Sequence, residues 1–302
     1  MTALKIEKIL FATDFLESSR LALDYALAIA HHFGAEIVML HATELPPAAH
    51  EAEAVSGFPS VSRKLAQEAL ENLAQKVRRA GVRASTRVME GVPDEVILEA
   101  TKAEGFDLLI LGVHGIHRGL SYLVLGSNTE KIVLAAPCPT LTVGAHVPAG
   151  VDLDLHLTGV LCLLSAEDGL SSVLSFAQRL ATSFNVSLET KYFSELTART
   201  SGGEVAQLDD STPEKELAEN HESELSHVDA PVQTITSAEM LHISRTQTRH
   251  LFVTSVDSTS LLERHMRPSF AYQLIANSVS PVITINRKSG SLRENTSQSP
   301  PS

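Results

Sequence analysis

Short apolar runs alternate with longer stretches of helical apolar spacing through the first half of the chain. Lys8 to Ala12 is a short apolar strand. From Ser18 to Phe33, residues Leu21, Ala22, Tyr25, Ala28 and Ile29 share one helical face. Asp14 or Ser18 supplies a cap for its start, and Gly34 ends it. Ala35 to His41 reads as a second strand, and Val61 to Ala80 as a second helix closed by Gly81. Val82 to Met89 follows as a third strand with an alternating pattern. Pro93 to Glu104 is a short helix with proline in its first turn. Asp107 to Leu111 forms the fourth strand, Gly126 opens the fourth helix, and Thr140 to Val143 forms the fifth strand. Strands separated by helices predict an α/β fold: a parallel sheet with helices on both faces.

The second half repeats this order. At a shift of 151, Ile9-Leu10 falls on Val160-Leu161, Phe33 on Phe184 and Ile37 on Leu188. Towards the end of the repeat the better shift is 142, which sets Leu109-Ile110-Leu111 on Leu251-Phe252-Val253, Ser127 on Ser269 and Pro139 on Pro281. Each shift runs without a gap, so the chain reads as two tandem domains, residues 1–146 and 155–287. The joint from Ala145 to Asp154 carries Pro148 and Gly150, as suits a short linker. The fifth strands, Thr140 to Val143 and Pro281 to Ile285, can pair within the chain and so protect two sheet edges.

Chemistry concentrates after the fourth strand. Gly112-Val113-His114-Gly115 follows the apolar run Leu108 to Leu111, and Gly126-Ser127 precedes a helix that takes in Asn128. Glycines let backbone N–H groups approach an anion, and a helix N-terminus adds unpaired donors and partial positive charge. The same glycines also serve tight turns, and both readings are open at this point. Arg118 can reach a phosphate oxygen or lie solvated at the surface, and Asp14 can serve a ligand or cap a helix. His114 and His117 lack an accompanying carboxylate or cysteine at metal spacing, so no metal site is expected there. No general base or activated nucleophile stands beside the loop, and no catalytic residue is expected. In the second copy, Gly112 becomes Thr254, Gly115 becomes Asp257 and Gly126 becomes Pro268 at the 142 shift, while Asp14 becomes Ser165 at 151. The second domain therefore reads as keeping the fold without the site.

Composition narrows the classes. The formal net charge of −12 argues against nucleic acid as a partner. No apolar run reaches the length of a membrane span, and the N-terminus lacks a signal-peptide core. Only Cys138 and Cys162 are present, which excludes a disulfide framework and fits a cytoplasmic protein. Residues 201–230 carry nine acidic residues against Lys215 alone, and read as a mobile loop followed by a solvated helix from Pro213. Residues 288–302 read as a disordered tail.

The first domain resembles the universal stress protein family. The resemblance rests on Ile9 to Phe15 with Ser18-Ser19-Arg20, on Gly34 to Ile37 with His41, on Leu111 to Gly115, on Leu125 to Ile132, and on Pro137 to Val143. It implies a five-stranded parallel fold of the Rossmann-like, adenine nucleotide alpha hydrolase-like class, in tandem here. One branch of that family binds ATP on a loop reading Gly, two residues, Gly, nine residues, Gly and Ser or Thr. Gly112, Gly115, Gly126 and Ser127 match it, with ten residues, Ile116 to Leu125, where nine are usual. The resemblance also implies that Asp14, with Ala12 and Thr13 before it, holds the nucleoside and that Ala42 lines the base pocket. Arg118 and Asn128 complete the expected set around the phosphates.

The expected function is a stress-response protein that binds ATP or another adenine nucleotide, with or without Mg, in its first domain. It would act as a nucleotide-responsive regulator and not as a metabolic enzyme. The expected partners are the nucleotide, the second domain through the last strands, and further copies or another protein; nucleic acid and membrane are not expected. The competing reading is an interaction scaffold that has lost nucleotide binding, which the ten-residue spacer favours.

Overall fold

The computed structural model describes residues 4–44, 58–113, 115–118, 122–165, 170–193, 233–256 and 270–286. The acidic 201–230 stretch, the tail 288–302, His114, Asp257 and Pro268 lie outside the described residues. Twelve strands and seven helices are described. The strands are β1 (Lys8–Ala12), β2 (Glu36–Thr43), β3 (Ala84–Glu90), β4 (Leu108–Gly112), β5 (Gly115–Arg118), β6 (Tyr122–Leu125), β7 (Thr140–Val143), β8 (Gly159–Ser165), β9 (Ser187–Phe193), β10 (Gln233–Ile235), β11 (His250–Val256) and β12 (Val282–Asn286). The helices are α1 (Glu17–Phe33), α2 (Phe58–Arg79), α3 (Pro93–Glu104), α4 (Ser127–Ala135), α5 (Leu170–Phe184), α6 (Ser237–Thr246) and α7 (Phe270–Asn277).

Ten strands form one sheet in the order β10-β9-β8-β11-β12-β7-β4-β1-β2-β3. Each half contributes five, in the same internal order of third, second, first, fourth and fifth. Every pairing is parallel except the one between the halves, where β12 meets β7 antiparallel. Parallel strands buried on both faces should be apolar throughout, and β1 shows it: Ile9 and Phe11 face one layer, Leu10 and Ala12 the other. The first layer is a single core running through both halves, from Ile9, Ile29 and Met39 to Val160, Phe176 and Leu251. The opposite face holds two cores, one around Leu40, Val96 and Leu109 and one around Leu163, Phe252 and Leu274. α1 buries Ala22, Tyr25, Ala26 and Ile29, and it stops at Gly34, whose φ of 67° suits a residue without Cβ.

The seam between the halves is locally two-fold. Leu141 faces Ile283, with Thr142 opposite Val282 and Thr140 opposite Thr284. The buried Thr142 hydroxyl donates to the Val282 carbonyl at 3.1 Å, and the Thr284 hydroxyl donates to the Thr140 carbonyl at 3.3 Å. On the helix layer, Phe33 and Phe184 meet edge to face at 5.5 Å, and His32 stacks on Phe184 at 4.2 Å. The pairing covers an edge on each five-stranded unit that would otherwise be open.

The strand register corrects one part of the repeat. Ile9 pairs with Ile37 as Val160 pairs with Leu188, so the 151 shift holds there. The N–H of Leu109 donates to the Pro139 carbonyl at 3.0 Å, and the N–H of Phe252 donates to that of Pro281 at 3.0 Å. Phe252, not Leu251, is therefore the counterpart of Leu109. A one-residue offset exchanges the two faces of a strand, and Leu251 lies in the layer opposite to Leu109. The counterpart of Gly112 is Ser255, not Thr254.

Candidate functional site

Parallel strands bring β1, β2 and β4 to a common carboxyl edge, the usual place for ligands in such sheets. Asp14 follows β1, Ala42 lies near the end of β2, and Gly112 ends β4. The turn from β1 into α1 is heavily cross-linked. The N–H of Thr13 donates to the Leu40 carbonyl at 3.0 Å. The Thr13 hydroxyl accepts from the N–H of Phe15 at 3.0 Å and donates to the Ser19 hydroxyl at 3.1 Å, which in turn donates to the Leu16 carbonyl at 2.8 Å. The Thr13 carbonyl accepts from His41 Nδ1 at 2.8 Å. Ala12 and Thr13 are buried, so they shape the floor while their polar atoms serve the fold.

Asp14 is exposed, and its Oδ1 accepts from the N–H of Leu16 at 2.9 Å. That is a local turn, not a helix cap. The residue preceding α1 is Leu16, which makes no side-chain cap, so the expected capping by Asp14 or Ser18 is corrected. Phe15 has a φ of 65°, a left-handed conformation costly for a residue with a Cβ, and its ring lies on His41 at 4.4 Å. Sequence reasoning used His41 for the family resemblance and as the end of the second strand, and gave it no part in the site. The structure makes it the brace of the turn that presents Asp14.

The three glycines differ in what the fold asks of them. A Cβ on Gly112 would lie 2.3 Å from the carbonyl carbon of Ser18 and 2.4 Å from Ser19 N, both backbone atoms. Gly112 is needed so that the first turn of α1 can cross the end of β4. Gly115 sits opposite Leu125 in the β5–β6 hairpin, which runs in register to the pair Arg118 and Tyr122. The sequence reading had this stretch as loop. The ladder brings Gly115 beside Gly126 and leaves three connecting residues, 119–121.

Gly126 is different again. It precedes α4 with φ −60° and ψ 145°, a conformation open to any residue, and among the described residues a Cβ there would meet nothing within 4 Å. It provides no side-chain cap to α4, which begins at exposed Ser127 and half-buried Asn128; the first N–H groups of a helix have no partner within it. Helix α4 is held by an ion pair that sequence reasoning missed: Lys131 Nζ lies 3.0 Å from Oδ2 of buried Asp94, at the start of α3. Ala42 is half-buried, pairs with Met89 and packs on the core that contains Leu40. Arg118 is placed by its backbone, at the far end of the hairpin from the glycines.

The arrangement can hold an anion on a helix N-terminus beside a carboxylate and a small apolar wall. Among the described residues, no group of three or more His, Cys, Asp or Glu could hold a metal ion. The groups displaced furthest from their ordinary pKa values sit in the packed body: burial pushes the Tyr25 phenol and the Cys138 thiol each up to about 12.

The model of the universal stress protein family matches residues 5–144. A universal stress protein of Methanocaldococcus jannaschii is 31% identical over 140 residues, covering 45% of this chain and 81% of that protein. One from Thermus aquaticus is 32% identical over 136 residues, covering 45% of this chain and 96% of that protein. The crystal structure of a universal stress protein from Archaeoglobus fulgidus covers 94% of this chain and 97% of its own, with a TM-score of 0.67 at 18% identity, a likeness of fold that extends over both halves. Among the described residues, no helix is long and apolar enough to cross a membrane.

Proposed function

Because this chain belongs to the universal stress protein family, we propose that its first half binds ATP or a related adenine nucleotide and that the protein acts in the stress response as a nucleotide-responsive regulator. In this reading residues 1–146 are the nucleotide domain and residues 155–287 its degenerate partner. One observation carries it. Among the described residues the fold supplies a reason for Gly112 and none for Gly126: a side chain at 126 would meet open space in an ordinary conformation. A phosphate seated on the N–H groups of Ser127 and Asn128 supplies the missing reason, since only a residue without a side chain lets it approach.

The rest of the set follows from the edge geometry. The Asp14 carboxylate stands where it can accept from ribose hydroxyls, while Ala12, Thr13 and Ala42 form an apolar wall for the base. Gly115 flanks the phosphates through the hairpin, and Arg118 and any Mg would act at their outer end. The spacer that favoured a pure scaffold contains most of this hairpin, whose register sets Gly115 opposite Leu125, the residue before Gly126, and that closeness of the glycines supports the binding reading. Binding with no base or nucleophile positioned among the described residues suits a switch: the nucleotide shifts the protein by as much as it prefers one arrangement over another.

The test is the melting temperature against ATP concentration. Ligand at a hundred times its dissociation constant stabilises the folded state by about 2.7 kcal/mol, a rise of several degrees. No rise at millimolar ATP would overturn the proposal.

A further inference from the structure

Helix α4 carries the candidate phosphate site at its first residue, yet both of its ends are held by the other half of the chain. Leu125, immediately before Gly126, is buried together with Val113 and Val133 in the core that contains Phe252, Phe270, Leu274 and Ile275 of the second half. Strand β6, which ends at Leu125, packs on α7. At the other end of α4, the side-chain amide of Asn286 donates to the Leu134 carbonyl. Asn286 ends β12, just past the seam, and is itself buried.

The same crossing occurs in mirror fashion on the opposite side. Gly144 follows β7 and approaches α7 so closely that a Cβ would lie 2.9 Å from the Ile275 carbonyl oxygen. Each last strand therefore runs on into the final helix of the other half, through a glycine contact on one side and an amide on the other. The first half does not close its cradle alone: the residue that leads into Gly126 is buried in a core drawn from both sides of the seam.

We propose that the second half is the positioning partner of the phosphate cradle, with α7 and Asn286 fixing α4 and the hairpin so that the N–H groups after Gly126 face the ligand. This rests on the reading of that loop as a nucleotide site. It gives the half that lacks the glycines a direct part in binding without any contact to the nucleotide. Asn286 is a positioning residue, acting through the last turn of α4.

The experiment compares full-length wild type with Asn286→Leu, Asn286→Gln and Gly144→Ala by amide hydrogen exchange and by ATP titration. Leucine keeps the branched shape of asparagine and removes the donor, glutamine keeps a donor, and Gly144→Ala displaces α7 through an independent contact. Loss of one hydrogen bond predicts roughly fivefold faster exchange across Glu130 to Ala136 in Asn286→Leu, with weaker ATP binding of the same order and recovery in Asn286→Gln. Gly144→Ala should speed exchange in the hairpin and α4 in the same way, while Ile37 to Leu40 in β2 keep the wild-type rate. Uniform acceleration over the whole chain, or none in α4 and the hairpin, would overturn the proposal. The exchange arm needs no ligand: if wild type binds no ATP, the nucleotide reading fails and the clamp is still decided.

Discussion

Replacing Gly126 by aspartate separates the fold from the ligand. The residue stands at the cap position of α4 with φ −60° and ψ 145°, and among the described residues, its own chain neighbours aside, a Cβ there would meet nothing within 4 Å. Aspartate fits there without strain. Its carboxylate can accept from the open N–H groups of the first turn and lies at the positive end of the helix dipole. Relative to glycine, a capping carboxylate so placed contributes a few tenths to about 1 kcal/mol. For a chain of this size that is a rise in melting temperature of about 1–3 °C in the absence of ligand. The same carboxylate takes the donors a phosphate would use and sets a like charge beside it. Two unit charges about 4 Å apart interact by about 4 kcal/mol at an effective dielectric constant of 20, and exposure to solvent reduces this to roughly half. Losing charge-assisted hydrogen bonds adds about 1.5–3 kcal/mol. Together these predict at least a hundredfold loss of ATP affinity, since each 1.4 kcal/mol is about tenfold. The assay is paired: calorimetric titration with ATP, and thermal unfolding of the free protein. Wild-type affinity in a folded Gly126→Asp protein would refute the placement of the phosphate, and a strongly destabilised protein would refute the open geometry around residue 126.

Gly112→Ala should behave in the opposite way, because its Cβ meets the backbone of Ser18 and Ser19 at 2.3–2.4 Å. Ordinary overpacking costs about 1–3 kcal/mol, and a clash with two peptide groups lies at the top of that range or above, so a fall of several degrees in melting temperature is expected and an unchanged value would contradict the packing. The Cys138 thiol is pushed up from 9.0 to about 12, first by burial and then by the charge of Asp107. Its stabilising contribution is complete below the unfolded pKa near 9.0 and is lost as pH rises towards 12, and native protein at pH 8 should react with thiol reagents far more slowly at this position than unfolded protein. Equal rates in the two states, followed by mass spectrometry, would show that the thiol is not protected.

The sheet was legible because central strands such as β1 and β4 are almost uniformly apolar and are separated by helices with clear stops, as at Gly34 and Gly105. That uniformity also hid the one-residue offset in the repeat. Leu108 to Leu111 and Leu251 to Val253 are apolar on both faces, so the pattern carries no mark of which residue faces which layer. The hairpin left a trace in the run Tyr122-Leu123-Val124-Leu125, but the interest of the flanking glycines drew it into a loop. Asp14 and Ser18 were sensible caps by residue type. Asp14 instead closes a turn onto Leu16, and the helix begins after a residue with no capping group. The distinction between Gly112 and Gly126 was out of reach of any spacing argument, because it depends on what crosses each glycine in space. The brace of His41 on Thr13 and Phe15 likewise joins residues from two strands that only the parallel register brings together.

The proposed binding is asymmetric: one nucleotide site, in the first half, in a chain whose second half repeats the strand order. In β11, Ser255 stands where β4 has Gly112, and Thr254 and Ser255 are both buried. Calorimetric titration of the full chain with ATP tests this most directly, through its stoichiometry. The account predicts one adenine nucleotide bound per chain. No binding at millimolar ATP would contradict the site, and two nucleotides per chain would contradict the assignment of the second half as a partner without one.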